Sequence, residues 1–120
     1  MSSSNIDALN FDRQKINLTL DKKSKDFTDA YDKLTDIGDS VKEHTANLYI
    51  RFKNDTVKKS VEEIKALITT DEATRILVEE LNQAKKDHLK AKTEWDKLKI
   101  KVMLLQSELK QNLEFNSMGQ

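Results

Sequence analysis

The most regular pattern in the chain lies in its last third. Leu77, Leu81, Ala84, His88, Ala91, Trp95, Leu98, Val102, Leu105 and Leu109 recur in strict 4-3-4-3 alternation. That spacing lays a single stripe along a helix wound at about 3.5 residues per turn, the seam of a coiled coil. A looser stripe opens the chain, where Leu9, Ile16, Leu20, Phe27, Leu34, Val41 and Leu48 follow at spacings of seven or four. It predicts a first long helix over residues 5–53, opened by Ser4 ahead of Asp7. Gly38, which costs about 1 kcal/mol inside a helix, predicts a bend there. Asn54-Asp55 is the predicted stop, with Asn54 in the left-handed cap conformation. Ser60 with Glu63 forms a capping box for a short helix over 60–69 that carries Ile64, Leu67 and Ile68. Thr69 with Glu72 repeats the device and opens a final helix over 71–115, after which the chain is expected to fray.

Charges beside the seam bear on what it meets. With Leu81, His88, Trp95, Val102 and Leu109 labelled a, the e row holds Lys85, Lys92 and Lys99, and the g row holds Glu80, Asp87, Glu94 and Glu108, broken by Lys101. Parallel copies would set g against e, acid against base, so the pattern predicts a parallel homo-oligomer held by Leu77, Leu81, Trp95, Leu98, Val102, Leu105 and Leu109. Ile100, Met103 and Leu104 fall outside the seam and give the helix a second apolar face, better buried in a bundle than in a two-stranded coil.

Composition agrees with an all-α fold of two long helices joined by a short one, in a single domain over 1–120. There is no proline, and the only glycines are Gly38 and Gly119. Alternating β-branched runs bounded by turn residues are absent, so strands lack support. Without cysteine there is no disulfide, thiolate nucleophile or thiolate metal site. The start lacks the basic and apolar regions of a signal peptide, and no apolar run reaches the roughly 20 residues needed to cross a bilayer, so a cytoplasmic protein without membrane contact is expected. Lysine plus arginine number 21, equal to aspartate plus glutamate, so polyanion binding must come from a local patch.

The candidate chemistry is correspondingly local. Asp26, Asp29, Asp32, Asp36 and Asp39 line one helix face, but interleaved lysines and the lack of histidine partners make this a solvated face rather than a cation site. His44 and His88 sit on or near apolar stripes with no nucleophile motif beside them, and no phosphate loop is present. The reading is non-enzymatic, with no cofactor. Leu48-Tyr49-Ile50-Arg51-Phe52-Lys53 instead interleaves aromatics with cations. Tyr49 could stack on a base while Arg51 and Lys53 hold phosphates, assisted by Lys58 and Lys59. The plainer reading makes Leu48 and Phe52 core and leaves Arg51 and Lys53 to complement the helix C-terminus. A second basic stretch runs from Lys85 to Lys101, with Lys86, Lys90 and Lys97 at outer positions.

From Ser60 to Phe115 the chain carries Glu63-Ile64-Lys65-Ala66, Thr70-Asp71-Glu72, Glu80-Leu81-Asn82-Gln83-Ala84-Lys85 and Leu104-Leu105-Gln106-Ser107-Glu108-Leu109. In these it resembles the UvsY-type recombination mediators of phage, and the first helix, ending in Leu48-Tyr49, is loosely similar to that family's. The resemblance implies a ring-like helical oligomer in the host cytoplasm that binds single-stranded DNA without sequence preference. Such a mediator helps a recombinase displace the single-strand-binding protein. The family's basic residues precede its Leu-x-Tyr; the matching positions here are Thr45 and Asn47, and the cations follow at Arg51 and Lys53. The alternative is a structural or adaptor coiled coil that assembles proteins without nucleic acid.

Overall fold

The structure, a computed structural model, describes the backbone of residues 3–118 and the side chains of residues 13–114. Every described element is a helix: α1 (Ser3–Lys53), α2 (Val61–Thr70) and α3 (Glu72–Met118). The predicted helix ends lie within two or three residues of these bounds. α1 already includes Ser4, so Ser4 is not its cap, and the side chains of Ser4, Asp7 and Leu9 lie outside the described ones. The chain divides into two compact units, one of residues 1–28 with 90–120 and one of residues 29–89.

Packing in the second unit follows the two stripes. Leu48, Ile64 and Ala84 are its buried apolar residues, and Thr74 is its buried polar one. α1 and α3 run antiparallel here: Tyr31 lies 5.8 Å from His88 between ring centroids, and His44 Nε2 lies 3.1 Å from Asp71 Oδ2. Between them, α1 continues through Gly38 as one helix, and a Cβ there would stand 3.9 Å from Leu81 Cδ1.

The first unit holds the other halves of the long helices and is more open. Lys23 Nζ donates to Glu94 Oε2 at 2.9 Å, both side chains partly exposed. Ile16, Leu98, Val102 and Leu105 line a groove of about 500 Å³, rimmed by Arg13, Lys15, Lys101 and Glu108. Ile16, Leu20, Phe27, Trp95, Leu98, Val102 and Leu105 are half-buried, Leu109 is exposed, and no described side chain of this unit is buried.

In each unit the seam of α3 lies against the chain's own α1, antiparallel. Glu94, which the charge pattern paired with a neighbour's e row, pairs with Lys23 of the same chain. The physical reason is proximity: a connected helix is present at far higher effective concentration than a second molecule. The e and g rows therefore do not establish the direction in which copies associate.

Two caps differ from expectation. No described non-glycine residue has positive φ, so Asn54 does not take the left-handed form; its N–H still reaches Ile50 O at 3.0 Å as in a helix. α3 is opened by Asp71 and not by Thr69. Asp71 Oδ2 accepts from Thr74 N and Thr74 Oγ1, both at 2.9 Å, whereas the Thr69 hydroxyl turns back to donate to Lys65 O at 2.8 Å. A hydroxyl that can back-bond one turn earlier is already committed, and a carboxylate is a strong acceptor for the free N–H groups of a helix start.

Candidate nucleic-acid interface

The end of α1 and its connection to α2 bring the predicted site residues into one stretch of the second unit. Arg51 and Lys53 stand in the last turn of α1, where cations complement the partial negative charge of a helix C-terminus. Both are exposed, as is Lys58, while Tyr49 and Lys59 are half-buried. Lys53 Nζ lies 5.9 Å from the centroid of the Tyr49 ring, within cation–π range. Tyr49 thus offers part of one ring face beside a cation, which a base could extend by stacking.

Asp55 organises the connection. Thr56 N donates to its Oδ1 at 2.8 Å and Lys59 Nζ donates to its Oδ2 at 2.9 Å. The Lys59 hydrogen bond, then that of the Thr56 N–H, holds the Asp55 carboxyl below its ordinary range. Lys59 Nζ also lies 5.9 Å from the Phe52 ring centroid, so its head closes the turn back over α1. Ser60 then caps α2 as expected, with Ser60 Oγ accepting from Glu63 N at 3.2 Å. Lys59, Glu63, Ala66, Leu67 and Thr70 line a shallow hollow of about 330 Å³ on this side.

Of the five predicted contact residues, Lys59 alone is in an ion pair among the described residues. Its partner Asp55 is the one carboxylate between Leu48 and Ser60, against the four cations Arg51, Lys53, Lys58 and Lys59. A chain of zero net charge therefore carries one locally basic turn. Thr45, at a position where the UvsY-type pattern has a cation, donates its hydroxyl to Val41 O at 2.9 Å, and Asn47 is exposed.

The second basic stretch is less concentrated. Lys99 Nζ pairs with Asp96 Oδ1 at 3.3 Å and lies 5.5 Å from the Trp95 ring centroid. Lys85 and Lys86 belong to the second unit, and Lys90, Lys92, Lys97, Lys99 and Lys101 to the first. Elsewhere, the five aspartates from Asp26 to Asp39 are all exposed, and among the described residues no group of three acidic or histidine side chains is placed to hold a metal ion. No described helix is long and apolar enough to cross a membrane.

Reading the sequence missed the cluster of His44, Asp71 and Thr74. His44 and the N–H of Thr74 keep the Asp71 carboxyl below its ordinary range, the His44 hydrogen bond contributing most. The signal was present in Asp71-Glu72-Ala73-Thr74, an Asx cap with a polar residue one step before the first apolar seam position. Compared with known proteins, the chain matches no protein-family model, no curated protein and no solved structure.

Proposed function

We propose that this protein is a non-enzymatic, homo-oligomeric, single-stranded-DNA-binding protein that acts in the cytoplasm as a recombination mediator. The observation that carries the reading is the basic turn: Lys53 stands over the Tyr49 ring, and Arg51, Lys53 and Lys58 are exposed in this one stretch of a chain of zero net charge. Cations hold phosphates and an aromatic face accepts a base of any identity, so the site favours a flexible single strand over a specific duplex sequence. Each such site is weak; repeated around an oligomer it becomes a track that holds a strand for a recombinase to take over from a single-strand-binding protein. The resemblance to UvsY-type mediators supports the same role.

The test is titration of an oligothymidine with the wild-type chain and with the Arg51→Ala, Lys53→Ala double variant. Wild type should lose affinity with salt at a log–log slope of about −3.5 if about five phosphates are neutralised. The double variant should bind about tenfold or more weakly, with a shallower slope by about 1.4. Unchanged affinity in a variant with intact helix content would sink the assignment.

A second reading, a structural adaptor, is favoured by the outer side of α3, where Ile100, Met103 and Leu104 are 58%, 65% and 60% exposed. An apolar protein contact there would be nearly indifferent to salt, which separates the two readings.

A further inference from the structure

We infer that two copies of this chain join through the outer stripe of α3 in the first unit, running antiparallel about Met103. This rests on the homo-oligomer reading above and adds which face is used and in which direction.

The first unit has no buried side chain among those described, and its two helical segments bury their seam only in part. Helices are held in water chiefly by packing an apolar face, so this unit has surface in want of a partner. On the side away from the seam, Asp96, Met103 and Lys110 succeed one another at seven-residue steps and lie on one line along the helix. Ile100 and Leu104 lie to one side of Met103, about 60° and 100° round the helix, and widen that line into an apolar stripe. The exposure of all three exceeds half.

The charges at the two ends of this stripe select a second copy as the occupant. Asp96 and Lys110 stand one on each side of Met103, each about 10.5 Å from it along the axis. A two-fold axis through Met103 brings Asp96 opposite Lys110 of the other copy, and by symmetry makes the same pair a second time. A parallel copy in register would set Asp96 against Asp96 and Lys110 against Lys110. Among the described residues Asp96 pairs only with the exposed Lys99, three residues on, with 48% of its side chain still exposed. By the same axis Lys97 comes level with Leu109, Lys99 with Ser107 and Ile100 with Gln106, so the antiparallel arrangement opposes no like charges along the flanks. The apolar centre supplies the affinity and the terminal pairs fix the direction. With three apolar side chains from each copy the contact lies at the small end of specific interfaces, and association is expected in the micromolar range.

Sedimentation equilibrium of the full chain across micromolar concentrations tests the face. The wild type should show reversible association in steps of two, weakened about tenfold or more by Met103→Glu while circular dichroism stays helical. A chain monomeric throughout would overturn both this inference and the homo-oligomer reading. An oligomer that Met103→Glu leaves unchanged would overturn the face alone.

Direction is read by cross-linking, which the absence of native cysteine makes clean. Asp96→Cys mixed with Lys110→Cys should form a disulfide between unlike chains faster than either variant does with itself. Faster self-linking of Asp96→Cys would overturn the antiparallel arrangement.

Discussion

The two units are built from the same pair of long helices yet pack differently. The unit of residues 29–89 contains α2 as a third segment, and it holds all four buried residues, Leu48, Ile64, Thr74 and Ala84. The unit of residues 1–28 and 90–120 has two segments, an open groove and no described buried side chain. Two helices in contact cover only the facing strip of each other, and a third segment laid along them closes the core. The regular seam of Leu98, Val102 and Leu105 therefore yields less burial than the irregular junction around Ile64.

The largest expected effect tests that difference. Ile64 is 2% exposed, and Ile64→Ala should cost about 2–5 kcal/mol as transfer and cavity terms add. Leu98 is half-buried, so Leu98→Ala should cost about 1–2 kcal/mol. Urea titration of both variants decides the matter; equal losses would mean that the first unit is as well packed as the second.

Acid should act on both units through carboxylates. Asp71 and Asp55 in the second unit, and Glu94 in the first through its hydrogen bond from Lys23, are all held below their ordinary values in the folded chain. The unfolded chain binds more protons than the folded one between the two values. The stability these groups contribute is therefore present above about pH 4 to 5 and lost as pH falls through the lowered folded values. Glu94→Gln should flatten the acid limb followed by Trp95 fluorescence, a reporter that lies in the first unit. Asp71→Asn should flatten the limb followed by circular dichroism while moving the Trp95 signal less. Identical shifts in both signals would show that the units lose structure as one.

The smallest expected effect has the opposite sign. Gly38 is helical without positive φ, and an added Cβ would meet Leu81 Cδ1 at ordinary contact distance. Gly38→Ala should therefore raise stability by about 0.5–1 kcal/mol, seen as a higher urea midpoint. A loss would place a tighter contact at this point of the second unit than the structure has.

The helices were legible in the sequence because spacing alone specifies which positions share a face. Ser60 with Glu63 marked the start of α2 correctly for a similar reason, since the motif is local. The partner of the seam was not legible. Apolar a and d positions demand cover but do not say whether it comes from another molecule or from α1, and Lys23 with Glu94 became a pair only once the chain had folded back. The seam also begins earlier than an apolar search finds it, at the buried Thr74, whose hydroxyl is satisfied by Asp71. At the candidate interface the cations could be read directly. The role of Asp55 could not, because Lys59 reaches it across an irregular turn in which helical spacing gives no guidance.

The two joints of the chain differ in a way that governs how its length can change. Seven residues separate α1 from α2, whereas Asp71 alone separates α2 from α3. An insertion in the longer joint adds only slack, at a fraction of a kcal/mol in closure entropy. One at Asp71 would displace α2 against α3 and carry Ile64 from its packed position. Length can therefore change at the basic turn at little cost, so the proposed DNA-binding segment can be remodelled while the packing beneath it keeps its register.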